Sequence, residues 1–425
     1  MKPVAFDCSQ ARRLAGRLAG RFARRLALAG LRTANRLRRP GPPSADTVRI
    51  LLFHAYGMGG TVRTCFTYAE RLADNHDVEI VTVIRQFPEP RLPVPDGVRL
   101  SVLDDRTKRC GLVGRWLERF PSVLVPHSDS SRRACTLWSD LKIFRYMRSL
   151  HGGVLITTRP GLNLIAALAA PPGVITIGQE HMHLTSHGAG VRKMIRRRYP
   201  RLDSVVTLTR ADQERYEAAV PGARVCCIPN GVTPLGGPPA RRDGRIVIAV
   251  GRLTTQKGFD LLIKAWREVD ARHPDWRLRI FGSGPKRDEL RGLIEKFGLK
   301  DKVRLMGRST EIGDRFAESS IFALSSRREG LPLVLIEAMS KGLPPVAFSC
   351  PTGPSDVIVP GENGLLVRPG DVRALAASVC ELIEDPEARH RLGKAATRVV
   401  DRYAPELVAE HWETHLDELV KRRMS

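Results

Sequence analysis

Two carboxylates stand eight positions apart in Ser325-Ser326-Arg327-Arg328-Glu329-Gly330-Leu331-Pro332-Leu333-Val334-Leu335-Ile336-Glu337-Ala338-Met339. Pro332 is pre-set for a first helical turn, which puts Glu329 ahead of a helix and Glu337 inside it. An ionised carboxylate accepts two hydroxyl hydrogen bonds at once, so such a pair can hold two separated diols, for which a sugar and a ribose are the natural candidates. Upstream, Arg252 and Lys257 fall in a loop between a strand and a helix. There fixed cations and backbone N–H groups can neutralise a diphosphate leaving group. In Gly57-Met58-Gly59-Gly60 the absent side chains at Gly59 and Gly60 let the backbone approach a phosphate or sugar closely. Ile177-Gly178-Gln179-Glu180-His181-Met182-His183 follows another strand, and a histidine at a strand's carboxyl end can donate from its ring to a sugar hydroxyl or a departing phosphate.

Short apolar runs position these residues. Val48–His54, Val78–Ile84, Val154–Thr158, Val174–Gly178 and Val205–Leu208 read as strands, with helix-period segments such as Val62–Leu72 between them. Alternation of this kind makes a parallel sheet wrapped by helices. Pro229–Gly244 is turn-rich and is expected to be the interdomain hinge. Beyond it the alternation restarts with strands Ile246–Val250, Leu278–Phe281, Val303–Met306, Ile321–Leu324 and Pro345–Phe348. Helices Phe259–Val269, Lys286–Phe297 and Leu333–Lys341 lie between them. Leu407, Val408, Trp412, Leu416 and Leu419 form one stripe of a last helix, Pro405–Arg423. The expected fold is α/β, with two doubly wound Rossmann-like domains facing a cleft and an extra amino-terminal basic amphipathic helix. The expected boundaries are residues 1–44 for a basic arm and Pro-rich linker, 45–233 for the amino-terminal Rossmann-like domain, 234–404 for the carboxy-terminal one and 405–425 for a helix packing back on the first domain.

Glu329 to Glu337, within EGLPLVLIEAM, resembles the E-x7-E block of the GT-B glycosyltransferases grouped as family 4, which transfer sugars from nucleotide donors with retention. Val250-Gly251-Arg252-Leu253 with Lys257-Gly258 is similar to that family's phosphate-binding pair. Ile228-Pro229-Asn230-Gly231-Val232 resembles its hinge, Gly57–Thr61 its glycine loop, and Cys350-Pro351-Thr352-Gly353-Pro354 its loop after the E-x7-E helix. The resemblance covers about residues 48–420. It implies that Glu337 holds the ribose diol, Glu329 a donor-sugar hydroxyl, and Arg252 with Lys257 the pyrophosphate. Gly330 and Leu331 belong to the same donor loop, and Gly307-Arg308-Ser309 falls where such enzymes contact the base. His181 matches the family's amino-domain histidine, with His183 its near neighbour. The implied chemistry is front-face displacement, in which the leaving diphosphate helps deprotonate the acceptor hydroxyl and the protein supplies charge stabilisation and orientation. One H-x-H and no D-x-D give poor support for a metal site, so no metal or other cofactor is expected.

The chain has 425 residues, a formal charge of +24, and 42% apolar and 27% charged residues, which excludes a wholly disordered chain. No C-x-x-C pairing occurs among its eight cysteines, so structural zinc is not expected and a reduced compartment is favoured. No run of 18 or more apolar residues exists to span a membrane. Residues 1–44 carry eleven cations against the single acid Asp7. Among them Arg13, Arg17, Arg21 and Arg25 flank an apolar row of Leu14, Leu18, Phe22 and Leu26 at helical spacing. A second cluster comprises Arg192, Lys193, Arg196, Arg197 and Arg198. Both suit an anionic membrane surface, and a targeting segment is the alternative for the arm.

Three function classes compete. The first is a transferase that moves a hexose-type sugar from a nucleotide-sugar donor to a lipid-linked or polysaccharide acceptor, working as a cytoplasmic, peripheral membrane enzyme. UDP-sugar is preferred as donor, with GDP-mannose the alternative. A catalytically silent sugar-nucleotide-binding protein of the same fold is the second. Nucleic-acid binding, the third, is disfavoured by 6% aromatic residues and the lack of a recognised motif. A dinucleotide oxidoreductase is disfavoured because the glycine loop reads G-x-G-G. Oligomeric state is not legible.

Overall fold

The computed structural model describes residues 26, 29, 30, 33, 41–127 and 129–425; Arg13, Arg17, Arg21 and Arg25 lie outside the described residues. The chain divides into two units, one running to Thr207 with Gln213–Cys226 and Ala409–Ser425, the other comprising Leu208–Asp212 and Cys227–Val408.

The first unit holds β1 (Thr47–Leu52), β2 (Asp77–Arg85), β3 (Val98–Asp105), β4 (Val154–Thr157), β5 (Ile175–Gln179), β6 (Ser204–Thr207) and β7 (Val225–Cys227). They form one sheet in the order β3-β2-β1-β4-β5-β6-β7. Every neighbouring pair from β3 to β6 is parallel, with Ile50 of β1 opposite both Ile80 and Ile156. The order reverses between β1 and β4, the point at which open α/β sheets take their ligands. The core gathers Leu51, Val81, Ile143, Leu155, Ile165, Val205 and Tyr216. On the terminal helix Pro405–Met424, Val408, Trp412, Leu416 and Leu419 are buried. From Ala409 on that helix belongs to the first unit, where Trp412 stacks on Tyr68 at 5.1 Å between ring centroids. His76 Nε2 lies 2.7 Å from Glu413, and Arg423 grips Asp203 at 2.7 and 2.8 Å.

The second unit holds β8 (Ile246–Val250), β9 (Arg277–Phe281), β10 (Val303–Gly307), β11 (Ile321–Leu324), β12 (Pro345–Phe348) and β13 (Leu365–Val367), all parallel, in the order β10-β9-β8-β11-β12-β13. Side chains alternate across these strands. Ile321 and Ala323 enter one core with Ile263, Trp266 and Leu375, while Phe322 and Leu324 enter another with Phe316, Leu335 and Met339. Both faces are covered, which is why each strand reads as a continuous apolar run. The turn-rich stretch 229–244 lies in this second unit. It is pinned by Lys341, whose ammonium donates to the carbonyls of Gly236, Gly237 and Pro238 at 2.6, 2.8 and 2.9 Å. Pro332 falls at the cap of the helix Leu333–Ser340, one residue outside the first turn assigned to it from sequence. No described helix is long and apolar enough to cross a membrane.

Candidate active site

In the second unit the chemistry-bearing residues follow β8 and β11, the strands on either side of the order reversal. The two loops are zippered together. Arg327 N donates to the Gln256 carbonyl at 2.8 Å, Ser325 Oγ to that of Lys257 at 3.1 Å, and Gln256 Nε2 to that of Arg328 at 3.0 Å. Gly258 makes this approach possible. Its φ is +65°, and a Cβ there would stand 2.0 Å from the Ser325 carbonyl oxygen, so only glycine fits. Lys257 Nζ then meets Glu329 Oε1 at 2.6 Å, with the Lys257 and Glu329 side chains 14% and 7% exposed. Ser326 Oγ donates to the same oxygen at 2.5 Å. Beneath, Arg327 holds Asp260 through two bonds of 2.7 and 2.6 Å, which keep that carboxyl below the usual range.

Gly353 closes the other side of Glu329. With φ at +93°, its ideal Cβ would sit 2.1 Å from the Gly330 carbonyl oxygen. Thr352 Oγ1 donates to the Glu329 carbonyl at 2.7 Å. Burial pushes the Cys350 thiol up to about 12, which removes it as a thiolate nucleophile at neutral pH. Glu337 and Leu331 are buried, Arg252 is exposed on the β8 loop, and Arg308 donates to Ser283 Oγ at 2.6 Å just after Gly307. The structure therefore brings Lys257 and Glu329 into contact and leaves Arg252 and Arg308 on solvent-exposed loops. It can present one preformed ion pair, two further cations and the amino end of the helix Phe259–Arg272 to an anionic, hydroxyl-bearing ligand.

In the first unit the equivalent loops line a cavity of about 480 Å³. His54 follows β1, Thr158 and Arg159 follow β4, and Glu180 with His181 follows β5. Glu180 is 3% exposed and accepts from Asn163 Nδ2 at 2.9 Å and from the Tyr199 hydroxyl. His187 Nε2 lies 3.4 Å from its other oxygen. His181 is half-buried, its Nε2 has no hydrogen-bond partner, and burial pulls its pKa down to about 4, so the ring is neutral at pH 7. His183 is occupied elsewhere, for its Nδ1 accepts from the Thr185 amide at 3.1 Å and its Nε2 partners Arg215. Gly59 caps the helix Gly60–Leu72 with φ at −71°, and a Cβ there would meet nothing within 4 Å. Neither backbone conformation nor packing demands that glycine, whereas room for a ligand would.

Sequence reasoning missed His54, Asp129, Arg159, Glu180 and His187. A signal existed for Glu180, which stands directly between the end of β5 and His181.

Comparison with known proteins agrees with this division. The family described as glycosyl transferases group 1 matches residues 237–399, and glycosyltransferase family 4 matches residues 58–234. An exopolysaccharide phosphotransferase of Streptomyces coelicolor is 35% identical over 88% of this chain, which spans only 41% of that relative's length. The amylovoran biosynthesis glycosyltransferase AmsD of Erwinia amylovora is 28% identical over 87% of this chain and 99% of its own. Among solved structures, a TarM mutant of S. aureus in complex with fondaparinux, α-GlcNAc-glycerol and UDP superposes with a TM-score of 0.72 at 16% identity, covering 87% of this chain and 99% of that one. Anabaena HepE with UDP and glucose gives 0.68 at 17% identity, over 88% and 99%. At such identities the structural matches speak for the fold.

Proposed function

The chain belongs to the GT-B glycosyltransferases of family 4, and from that premise we propose that it moves a hexose-type sugar from a nucleoside-diphosphate donor to a hydroxyl of a lipid-linked or polysaccharide acceptor, with retention. The observation that carries this reading is the Lys257–Glu329 contact of 2.6 Å at the switch point of the second sheet. An ammonium there stabilises charge developing on a leaving diphosphate, and a carboxylate there accepts from a donor-sugar hydroxyl. Arg252 adds a second cation to the diphosphate, Glu337 accepts from the ribose diol, and Gly330, Leu331, Gly307 and Arg308 complete the donor loops. Gly59 and Gly60 let the backbone of the first unit approach a phosphate or sugar closely. His181, kept neutral by burial, donates or accepts a hydrogen bond at the reacting hydroxyls.

UDP-sugar is the preferred donor, consistent with the UDP named in the TarM and HepE complexes; GDP-mannose is the competing one. The leaving diphosphate is neutralised by protein cations and the helix amino end, so the transfer needs no metal, and EDTA should leave its rate unchanged. Arg192, Lys193, Arg196 and Arg197 are exposed on the helix Ala189–Arg198. Together with the arm they seat the enzyme on an anionic membrane at its cytoplasmic face.

A panel of nucleotide sugars tests this directly. The true donor raises the melting temperature by an amount that grows as RT ln(1 + [L]/Kd) and is turned over, at least by slow hydrolysis. Stabilisation without turnover would leave a silent sugar-nucleotide binder. No response to any donor would sink both.

A further inference from the structure

The stretch from Lys108 to Phe120 belongs to neither site and combines exposed apolar area with positive charge. Four of the ten large apolar residues exposed among the described residues fall here within nine positions: Leu112, Val113, Trp116 and Phe120, at 76, 67, 57 and 42% exposure. Leu112, Val113 and Trp116 share one face of the helix Leu112–Glu118. Phe120 follows its cap and meets the Trp116 ring edge-on, with 5.0 Å between centroids. The opposite face is committed to the fold, for Gly114 is buried, and a Cβ on it would stand 3.3 Å from Trp138 of the helix Leu137–Ser149. Around the apolar face stand four exposed cations, Lys108, Arg109, Arg115 and Arg119. The acids nearby are occupied: Glu118 is half-buried against Cys110, and Asp105 lies 3.4 Å from Arg85. The supporting helix exposes Arg145 and Arg148 and buries its single acid, Asp140.

Apolar area this concentrated calls for a covering partner, and charge decides which. Residues 1–44 would bring eleven cations and one acid to a cationic patch. A second copy docked by two-fold symmetry would set the same four cations against their equivalents. An anionic bilayer offers what both lack, negative headgroups for the cations and hydrocarbon for the apolar side chains. Trp and the stems of Arg and Lys suit the boundary between the two. We propose that the helix Leu112–Glu118 and Phe120 insert into the headgroup boundary of an anionic membrane. This extends the membrane contact given above to surface cations from attraction to insertion, and it holds whether or not the chain transfers sugar.

Trp116 is the one exposed tryptophan of five, Trp266, Trp276 and Trp412 being buried and Trp138 half-buried. Tryptophan emission of the full chain is therefore expected to shift to the blue with phosphatidylserine-containing vesicles and to be quenched by brominated acyl chains. Trp116→Phe should abolish the shift. At about 1 M salt, where the Debye length is about 3 Å, charge attraction is screened and wild-type sedimentation with the vesicles should persist in part. Leu112→Ser with Val113→Ser changes two exposed side chains, so the fold is kept, and should lower that residual binding by about tenfold or more. An emission maximum unmoved by vesicles overturns the proposal. So does a double variant that pellets like the wild type, or equal binding to vesicles of phosphatidylcholine alone. A blue shift that grows with protein concentration without vesicles, together with a dimer in analytical ultracentrifugation, overturns it in favour of a second copy. Turnover of radiolabelled nucleotide sugar with a soluble acceptor, read on the same preparations, reports on the transferase separately.

Discussion

The two units place their chemistry at the same topological position and equip it in opposite ways. In the second, the loops after β8 and β11 carry cations, one of them already locked to a carboxylate in the Lys257–Glu329 pair. In the first, the loops after β1, β4 and β5 carry the imidazoles of His54 and His181, Arg159, which meets Asp129 at 3.5 Å, and a buried acid, Glu180. A strand order shared by both sheets thus serves two sites with differently charged linings. The fold supplies the position and the loops supply the specificity.

The largest effect should come from the second site. Lys257→Ala is expected to lower kcat/KM for the donor by about 10²–10³-fold, as loss of a preorganised charge stabiliser does. It also leaves Glu329 as a buried carboxylate without its ammonium, at a cost of about 3 kcal/mol in stability. The double variant Lys257→Met with Glu329→Gln should regain much of the melting temperature and none of the turnover. Donor kinetics that stay at wild-type values would break the contrast between the units.

Lys341→Met comes next. Its ammonium, 3% exposed, is the donor shared by three carbonyls of the 236–238 segment. Losing it removes the charged donor of all three hydrogen bonds, which costs about 2–3 kcal/mol. A fall of about 5–10 °C in the transition of the second unit is expected by calorimetry, with the first unit's transition unmoved. A change confined to the first unit would show that the segment belongs energetically to the wrong half.

The first unit should instead report on acid. Burial lowers His181 and His415 to about 4 from an unfolded value near 6.5. Between those values the unfolded chain binds more protons than the folded one, so stability is full above about pH 6.5 and falls as pH drops toward 4. Each group contributes at most about 1.4 kcal/mol per pH unit. Melting temperatures measured from pH 7.5 to 4 should show this slope, and His181→Asn should remove its share. A melting temperature that does not change over that range would mean the cavity is wetter than its geometry implies.

How much of this was legible beforehand depended on whether the signal was local. β8, β11 and β12 were readable because both faces of their sheet are covered, so every residue is apolar. β3 escaped notice because only Val98 and Asp104 are fully buried in it, and β13 because it has three residues. Lys257 and Glu329 were readable as residue types in a familiar order, but their contact spans 72 positions and depends on the missing Cβ of Gly258 against Ser325. The cavity of the first unit was the least legible part. His54, Arg159 and Glu180 are single residues on separate loops, and only the parallel order of β1, β4 and β5 gathers them.

The smallest effect on the enzyme itself should come from Arg196→Gln with Arg197→Gln, and it separates the two kinds of cation in the chain. Both residues are exposed on the last turn of the helix Ala189–Arg198. Neither lines the cavity. Surface charges of this kind change stability by no more than about 0.5 kcal/mol. Turnover with a short soluble acceptor should therefore stay at wild-type values, because the donor cations Arg252 and Lys257 are untouched. Each cation near an anionic bilayer contributes about 1 kcal/mol, so sedimentation with phosphatidylserine-containing vesicles should weaken by about tenfold or more. Screening falls within a Debye length of about 8 Å at physiological salt, so the same loss should be mimicked in the wild type by raising ionic strength. Vesicle binding that resists both changes would remove the helix Ala189–Arg198 from the membrane contact and leave residues 1–44 and the helix Leu112–Glu118 to account for it.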